Sequence, residues 1–293
     1  MKNSQGKTKW GDALRTLHDT VLSLLYPPAC VICGAFIQKA AQGNDGGFPH
    51  YTKGFMQADV QTVFERSMAR IICEDCLDTF QPVAAPYCIR CGTLFTSRKG
   101  ENRMCGHCLD KQGRYRMARA AGCFQGVLMD VVHLLKYQGK LQLADPLSMV
   151  MLFAMMAYVH EFTGKEERID TVVPVPLHPR RFRERGFNQA FLLVRHWEKW
   201  GRLYGVEIPV SDIDRHILYR NRHTDFQTGL GKEERRKNIR GAFSLSANAD
   251  IRGKRLLLVD DVYTTGATVE ECARVLIKGG ARHVDVLTLA RTV

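Results

Sequence analysis

Ten cysteines occur in 293 residues, and eight of them form four Cys-x-x-Cys pairs: Cys30/Cys33, Cys73/Cys76, Cys88/Cys91 and Cys105/Cys108. The two sulfurs of such a pair converge on one ion, so four pairs supply ligands for two structural zinc sites with four thiolates each. Gly34 and Gly92 directly follow their pairs and Gly106 lies inside its own, which lets backbone amides turn toward sulfur. A secreted disulfide framework has no reason to repeat a two-residue gap four times. A thioredoxin-like redox site needs one pair at a helix start after a strand, not four in a ribbon. Spacing alone leaves open which pairs share an ion; the simplest arrangement is sequential, 30/33 with 73/76 and 88/91 with 105/108. Reduced, metal-bound thiols lead to the expectation of a cytoplasmic protein. Cys123 and Cys272 stand in apolar surroundings and are read as small buried hydrophobes.

The second chemically informative stretch is RLLLVDDVYTTGATVEE, residues 255–271. Its apolar run, 256–259, reads as a central parallel strand with Asp260 and Asp261 at its carboxyl end. Thr264, Thr265, Gly266, Ala267 and Thr268 then lead into a helix that Gly279 and Gly280 terminate. Small residues let several backbone amides point at one spot, and the helix amino terminus adds partial positive charge, so the loop suits a phosphate monoester. Adjacent carboxylates repel phosphate. They suit the vicinal hydroxyls of a ribose whose 5′-phosphate fills the loop.

Around these stretches the chain alternates between strand-like and helix-like segments. Strands are expected at 118–125, 171–175, 256–262 and 283–289, and helices at 127–137, 188–204 and 268–278. Alternation of this kind predicts an α/β fold with a mostly parallel sheet flanked by helices. Residues 1–28 read as an amphipathic helix, and 29–112 as a double zinc ribbon with an inserted loop and helix at 34–72. Residues 113–293 read as the α/β domain. The apolar stretch 146–159 is too short for a span of ~20 residues and is expected to be a buried helix.

The composition is ordinary for a globular protein, 45% hydrophobic and 25% charged, which excludes wholesale disorder and a polytopic membrane protein. The net charge of +12 favours polyanionic partners. Between residues 174 and 240 fifteen Lys/Arg stand against eight Asp/Glu, which concentrates that charge in one region.

The segment VDDVYTTGAT resembles the binding motif for 5-phosphoribosyl-1-pyrophosphate (PRPP) in type I phosphoribosyltransferases. Two more blocks, VVPVPLHPRRFRERGFNQ at 172–189 and RHTDFQTGLGKEERRKNIRGAF at 222–243, resemble the ComF family, as does the order of zinc ribbons before the transferase-like domain. Amidophosphoribosyltransferase shares the general pattern but lacks the ribbons. The chain departs from the family pattern in the thirty-nine residues between its first two cysteine pairs, which bears on whether those pairs share an ion.

The resemblance implies roles for particular residues. Leu177, His178, Arg180, Arg181 and Arg185 would grip pyrophosphate in the loop after the 171–175 strand, with Lys136 adding charge nearby. Arginine forks suit diphosphate oxygens. Residues 222–240 would form a closing loop with Arg222, Thr224, Gln227, Arg235 and Asn238. Asp260, Asp261, Arg222 and Arg235 would be catalytic, and Mg²⁺ would neutralise the leaving group.

Three functions stay open at this level. The first is transfer of phosphoribose from PRPP to an acceptor not identified by the sequence, with release of pyrophosphate. The second, implied by the family's link to natural transformation, is binding of imported single-stranded DNA alongside competence proteins. Phe182, Phe187, Phe226 and Phe243 are its candidate stacking residues. The third is a sensor that binds PRPP without turnover.

Overall fold

The computed structural model describes residues 27–37, 59–97, 99–110, 113–163, 168–222 and 232–293. The N-terminal helix expected at 1–28 falls almost wholly outside these residues.

Three short helices belong to the cysteine-rich part: α1 (Val60–Met68), α2 (Glu74–Leu77) and α3 (Gly106–Asp110). Strand β1 (Ala118–Cys123) then enters a sheet, followed by α4 (Gly126–Gln138) and α5 (Ala144–Thr163). After β2 (Thr171–Pro174) come α6 (Pro179–Arg185), α7 (Gln189–Leu192) and α8 (Trp197–Tyr204). Strands β3 (Leu218–Arg220) and β4 (Phe243–Leu245) pair as an antiparallel ribbon with α9 (Lys232–Ile239) between them. The chain closes with β5 (Arg255–Tyr263), α10 (Ala267–Lys278) and β6 (His283–Arg291).

The main sheet has the order β1-β6-β5-β2, and all its pairings are parallel. This is the parallel, helix-flanked sheet that the alternating pattern predicts. Strand β5 is central and covered on both sides, as its unbroken apolar run requires. Leu257 and Val259 face the core formed with α4 and α5, whereas Leu256 and Leu258 face Cys272, Ala273 and Leu276 of α10. Cys123 and Cys272 are buried, as expected.

Helix α5 runs further than the apolar stretch suggested. The span Leu141–Val159 is long and apolar enough to cross a membrane. Leu147, Met149, Val150, Met151 and Met155 are nevertheless fully enclosed by protein, so this is a core helix. Helix α1 packs against it, and the stacked rings of Phe64 and Phe80, 4.1 Å apart, join the same core.

Two sequence expectations need correction. The single helix expected at 188–204 is two helices joined by a turn at 193–196. Leu192, Leu193 and Val194 are all buried, as are Trp197 and Trp200. All five belong to one core, and the change of direction at the turn lets both short helices pack into it. The loop expected after β2 is instead largely helix α6. Pro179 occupies its first turn, His178 caps it by accepting from the Arg180 N–H at 3.2 Å, and Gly186 ends it at φ +81°.

Candidate functional site

The four sulfurs of Cys30, Cys33, Cys73 and Cys76 lie within 4.8 Å of one another, as do those of Cys88, Cys91, Cys105 and Cys108. The pairing is therefore sequential, despite the long insertion. Val31 N–H donates to the Ile71 carbonyl at 3.0 Å and closes that insertion onto the first pair. Tetrahedral zinc with Zn–S bonds of about 2.3 Å needs sulfurs ~3.8 Å apart. Cys33 and Cys73 are 3.5 Å apart and Cys91 and Cys105 are 3.7 Å apart, so both tetrads fit the ion. The Cys91–Cys88 hydrogen bond lowers the Cys88 thiol pKa and raises that of Cys91.

The two tetrads are also duplicates, a repeat that the cysteine spacing alone did not reveal. Ala29 bridges Phe36 and Tyr87 bridges Leu94, one residue before and three after each pair. Cys30 N–H donates to Ala35 O and Cys88 N–H to Thr93 O, both at 2.8 Å. Gly34 and Gly92 adopt φ +77° and +70° in these equivalent turns. In each case the later pair lies at or in a short helix, α2 or α3.

The second centre lies where β2 and β5 end side by side, the edge at which open parallel sheets bind ligands. Asp260 and Asp261 belong to β5, which continues to Tyr263. Asp261 pairs with Lys136 of α4 at 2.8 Å. Asp260 is partly buried and accepts from the Asp261 N–H at 2.9 Å. Burial, reinforced by the Asp261 charge, pushes the Asp260 carboxyl up to about 7.

The loop that follows is built for backbone approach. Gly266 takes φ +75° as the N-cap of α10, where it offers no capping side chain of its own. A Cβ at this position would collide with the Tyr263 ring and hydroxyl. Thr265 Oγ1 accepts from the Ala267 N–H at 3.4 Å. Gly266→Ala is expected to lower stability by ~1–3 kcal/mol, by forcing both a strained φ and a displaced tyrosine. Chemical denaturation measures it, and a change below about 0.5 kcal/mol means that the loop relaxes freely.

A basic rim surrounds the carboxylate pair. Arg185 rests over the exposed Tyr137 ring at 5.7 Å; burial lowers its pKa while the Asp261 charge opposes that shift. Arg220 of β3 stacks over Phe243 at 5.4 Å, and burial lowers its pKa against the pull of Asp260. Arg181 is near enough to repel both. Arg180 and Arg181 form pairs with Glu184 on the surface of α6. Leu177 and His178 lie in the short connection before that helix.

Arg222 lies just past the end of β3. It donates to the carbonyls of Asn238 and Arg240 and ties down the end of α9. Arg235 lies on α9, so part of the expected closing loop is helical; Thr224 and Gln227 lie outside the described residues. Phe226 does too. Phe243 is buried and Phe187 packs against the main core, whereas Phe182 is exposed. Sequence reasoning missed Arg220, whose only local signal is its place two residues before Arg222 in a short strand. It also missed the buried tyrosines Tyr115 and Tyr263, whose hydroxyls meet at 2.7 Å.

Comparison with known proteins agrees with this arrangement. The family described as "Phosphoribosyl transferase domain" matches residues 193–292. The chain is 32% identical to the DNA utilization protein YhgH of Escherichia coli K12, over 70% of this chain and 84% of that protein. It is 30% identical to Competence protein F of Haemophilus influenzae, over 70% and 85% respectively. It is 28% identical to Competence protein ComFC of Streptococcus pneumoniae, over 75% and 87%. With a parallel sheet that ends in a phosphate-type loop, two cysteine tetrads ahead of it and relatives aligned over most of their length, the chain belongs to the ComF family of proteins with a phosphoribosyltransferase-like domain.

Proposed function

We propose that the site binds a 5-phosphoribosyl group, with PRPP as the donor, and transfers it to an acceptor with release of pyrophosphate. One observation carries the reading: a helix amino terminus opened by a positive-φ glycine closely follows two carboxylates, at the carboxyl end of a central parallel strand. In this reading the amides and hydroxyls of Thr264, Thr265, Gly266, Ala267 and Thr268 hold the 5′-phosphate. Asp260 and Asp261 accept the ribose 2′- and 3′-hydroxyls. The bond from C1 to pyrophosphate breaks as the bond from C1 to the acceptor forms.

Lys136 neutralises Asp261 before the ligand arrives, then turns to the diphosphate with Arg181, Arg185 and Arg220. The cationic rim stabilises the departing charge, because it acts where water is partly excluded. The hard oxygen donors of the carboxylate pair suit magnesium, and the ion, when bound with the diphosphate, would neutralise it as a leaving group. The eight free thiols, which metal binding needs in reduced form, support a cytoplasmic setting.

A second reading, single-stranded nucleic acid at the same mouth, draws on the surface beside it. Tyr137 is 71% exposed under Arg185, and Phe182 of α6 is exposed nearby in sequence. Exposed rings next to a cationic rim suit stacked bases with phosphates between them. Relatives named for competence and DNA utilization favour the same setting.

Calorimetric titration of the zinc-loaded full chain with PRPP and magnesium, repeated with single-stranded DNA present, separates the two. Saturable PRPP binding that survives DNA is the result expected for the transferase. Salt-sensitive DNA binding with no PRPP heat would overturn it and leave the second reading.

A further inference from the structure

We propose that the second cysteine tetrad and the phosphate loop form one coupled unit, with Arg291 as the positioning residue between them. Metal in the tetrad holds the loop in its anion-binding shape, and an anion in the loop holds the metal. The inference rests on the phosphate-binding reading above and adds a regulatory consequence to it.

Arg291 is 2% exposed at the end of β6. It donates to the Cys91 carbonyl at 2.6 Å and to Thr93 Oγ1 at 2.9 Å, gripping the turn of the second cysteine knuckle on both sides of Gly92. Gly92 is required there, because a Cβ would lie 2.7 Å from both an Arg291 guanidinium nitrogen and the Ala118 carbonyl. The other face of the guanidinium covers the Tyr263 ring at 5.0 Å, and Tyr263 and Arg291 are register partners across β5 and β6. Tyr263 in turn leans on the Cα of Gly266, the residue that opens the phosphate loop. The path from metal ligand to loop is thus one buried arginine and one buried tyrosine long.

A second path runs in parallel. Arg90, inside the same cysteine pair, donates to the carbonyls of Gly113 and Tyr115. Arg114 N–H then donates to Glu270 in the first turn of α10 at 2.8 Å. The first tetrad has no such connection among the described residues; it packs into the α1–α5 core instead. One buried link through Arg291 and Tyr263, and one partly exposed link through Arg90 and Glu270, tie the metal-binding turn to both sides of one loop, and the buried one makes independent movement costly, since packed interiors transmit strain. Coupling of this kind is reciprocal by thermodynamic necessity.

The test uses the zinc-loaded full chain, ribose 5-phosphate as the probe and a zinc chelator with a thiol-alkylating agent. Peptide mass spectrometry reads alkylation at each cysteine with time. Saturating ribose 5-phosphate is expected to slow alkylation of Cys88, Cys91, Cys105 and Cys108 by ~5–10-fold, a typical coupling, and leave Cys30, Cys33, Cys73 and Cys76 unchanged. Arg291→Lys should abolish the difference. Thr93→Val removes one acceptor of Arg291 and also the Cys91 Sγ contact at 3.2 Å, so it is read at Cys105 and Cys108, where it should reduce the protection should the first variant fail to fold. Ribose 5-phosphate that binds calorimetrically yet protects neither tetrad, or both equally, overturns the coupling alone. Absence of any binding heat overturns the phosphate-site reading and the coupling with it.

Discussion

Replacing Cys30 with serine is expected to unfold most of the chain, whereas Cys88→Ser should leave the main core standing. Structural zinc contributes ~10–16 kcal/mol in small zinc-binding peptides, comparable with the whole stability of a domain. Where that energy is felt depends on what each tetrad packs against. Cys30 is buried in the same core as Phe64, Phe80 and Leu128, with Cys73 and Cys76 against it. Cys88, Cys91 and Cys108 form a separate small cluster with Phe95. Calorimetry should therefore show loss of the main transition for Cys30→Ser. For Cys88→Ser the main transition should persist, with hydrogen-exchange protection lost around residues 86–110 and in the 264–268 loop. Equal effects of the two substitutions would contradict the assignment of separate supports.

The carboxylate pair should separate binding from stability. Asp260→Asn is expected to weaken PRPP binding at least ~100-fold, since it replaces an ionised acceptor of ribose hydroxyls. The same substitution should stabilise the ligand-free protein at high pH. The folded carboxyl is raised from 3.8 to about 7, chiefly by burial, so ionising it costs more in the folded chain than in the unfolded one. The native protein therefore loses stability relative to the Asn variant as pH climbs from about 4 to about 7, and the gap stays constant above that. At 1.36 kcal/mol per unit the difference at pH 8 is roughly 2–4 kcal/mol. Asp261→Asn should weaken binding too but lower stability, because it removes the partner of Lys136. Urea denaturation at pH 5 and pH 8 reads both signs. A variant at Asp260 that is no more stable than the parent at pH 8 would mean that the carboxyl is well solvated.

Local signals were legible where a few neighbouring residues settle the geometry. The turn after Asp261 needs a glycine at positive φ, and Gly266 stands there. The helix that follows ends at Gly279, as the Gly279-Gly280 pair announced. The apolar run before Asp260 is buried on both faces, as a central strand must be. Signals failed where one local pattern served two packings. The stretch 188–204 reads as one helix by period, yet the chain turns at 193–196 and packs both short helices into one core. The arginine-rich run after β2 reads as a loop, yet Pro179 and the Glu184 pairs support α6.

Residue chemistry along the chain thus determined the four cysteine pairs and the phosphate-type turn, whose signals lie within a few neighbouring residues, and announced the parallel sheet through apolar strands alternating with helical periods. Tertiary structure decided which pairs share a tetrad. It brought Cys73 back to Cys33 across the insertion through the packing of α1 on α5. It also decided that Lys136 meets Asp261 and that Arg220 faces Asp260 from a separate ribbon. Arg291, at the very end of the last strand, grips a cysteine turn two hundred residues earlier. No spacing rule encodes such a contact; it follows from parallel strands that carry distant segments to one edge of one sheet.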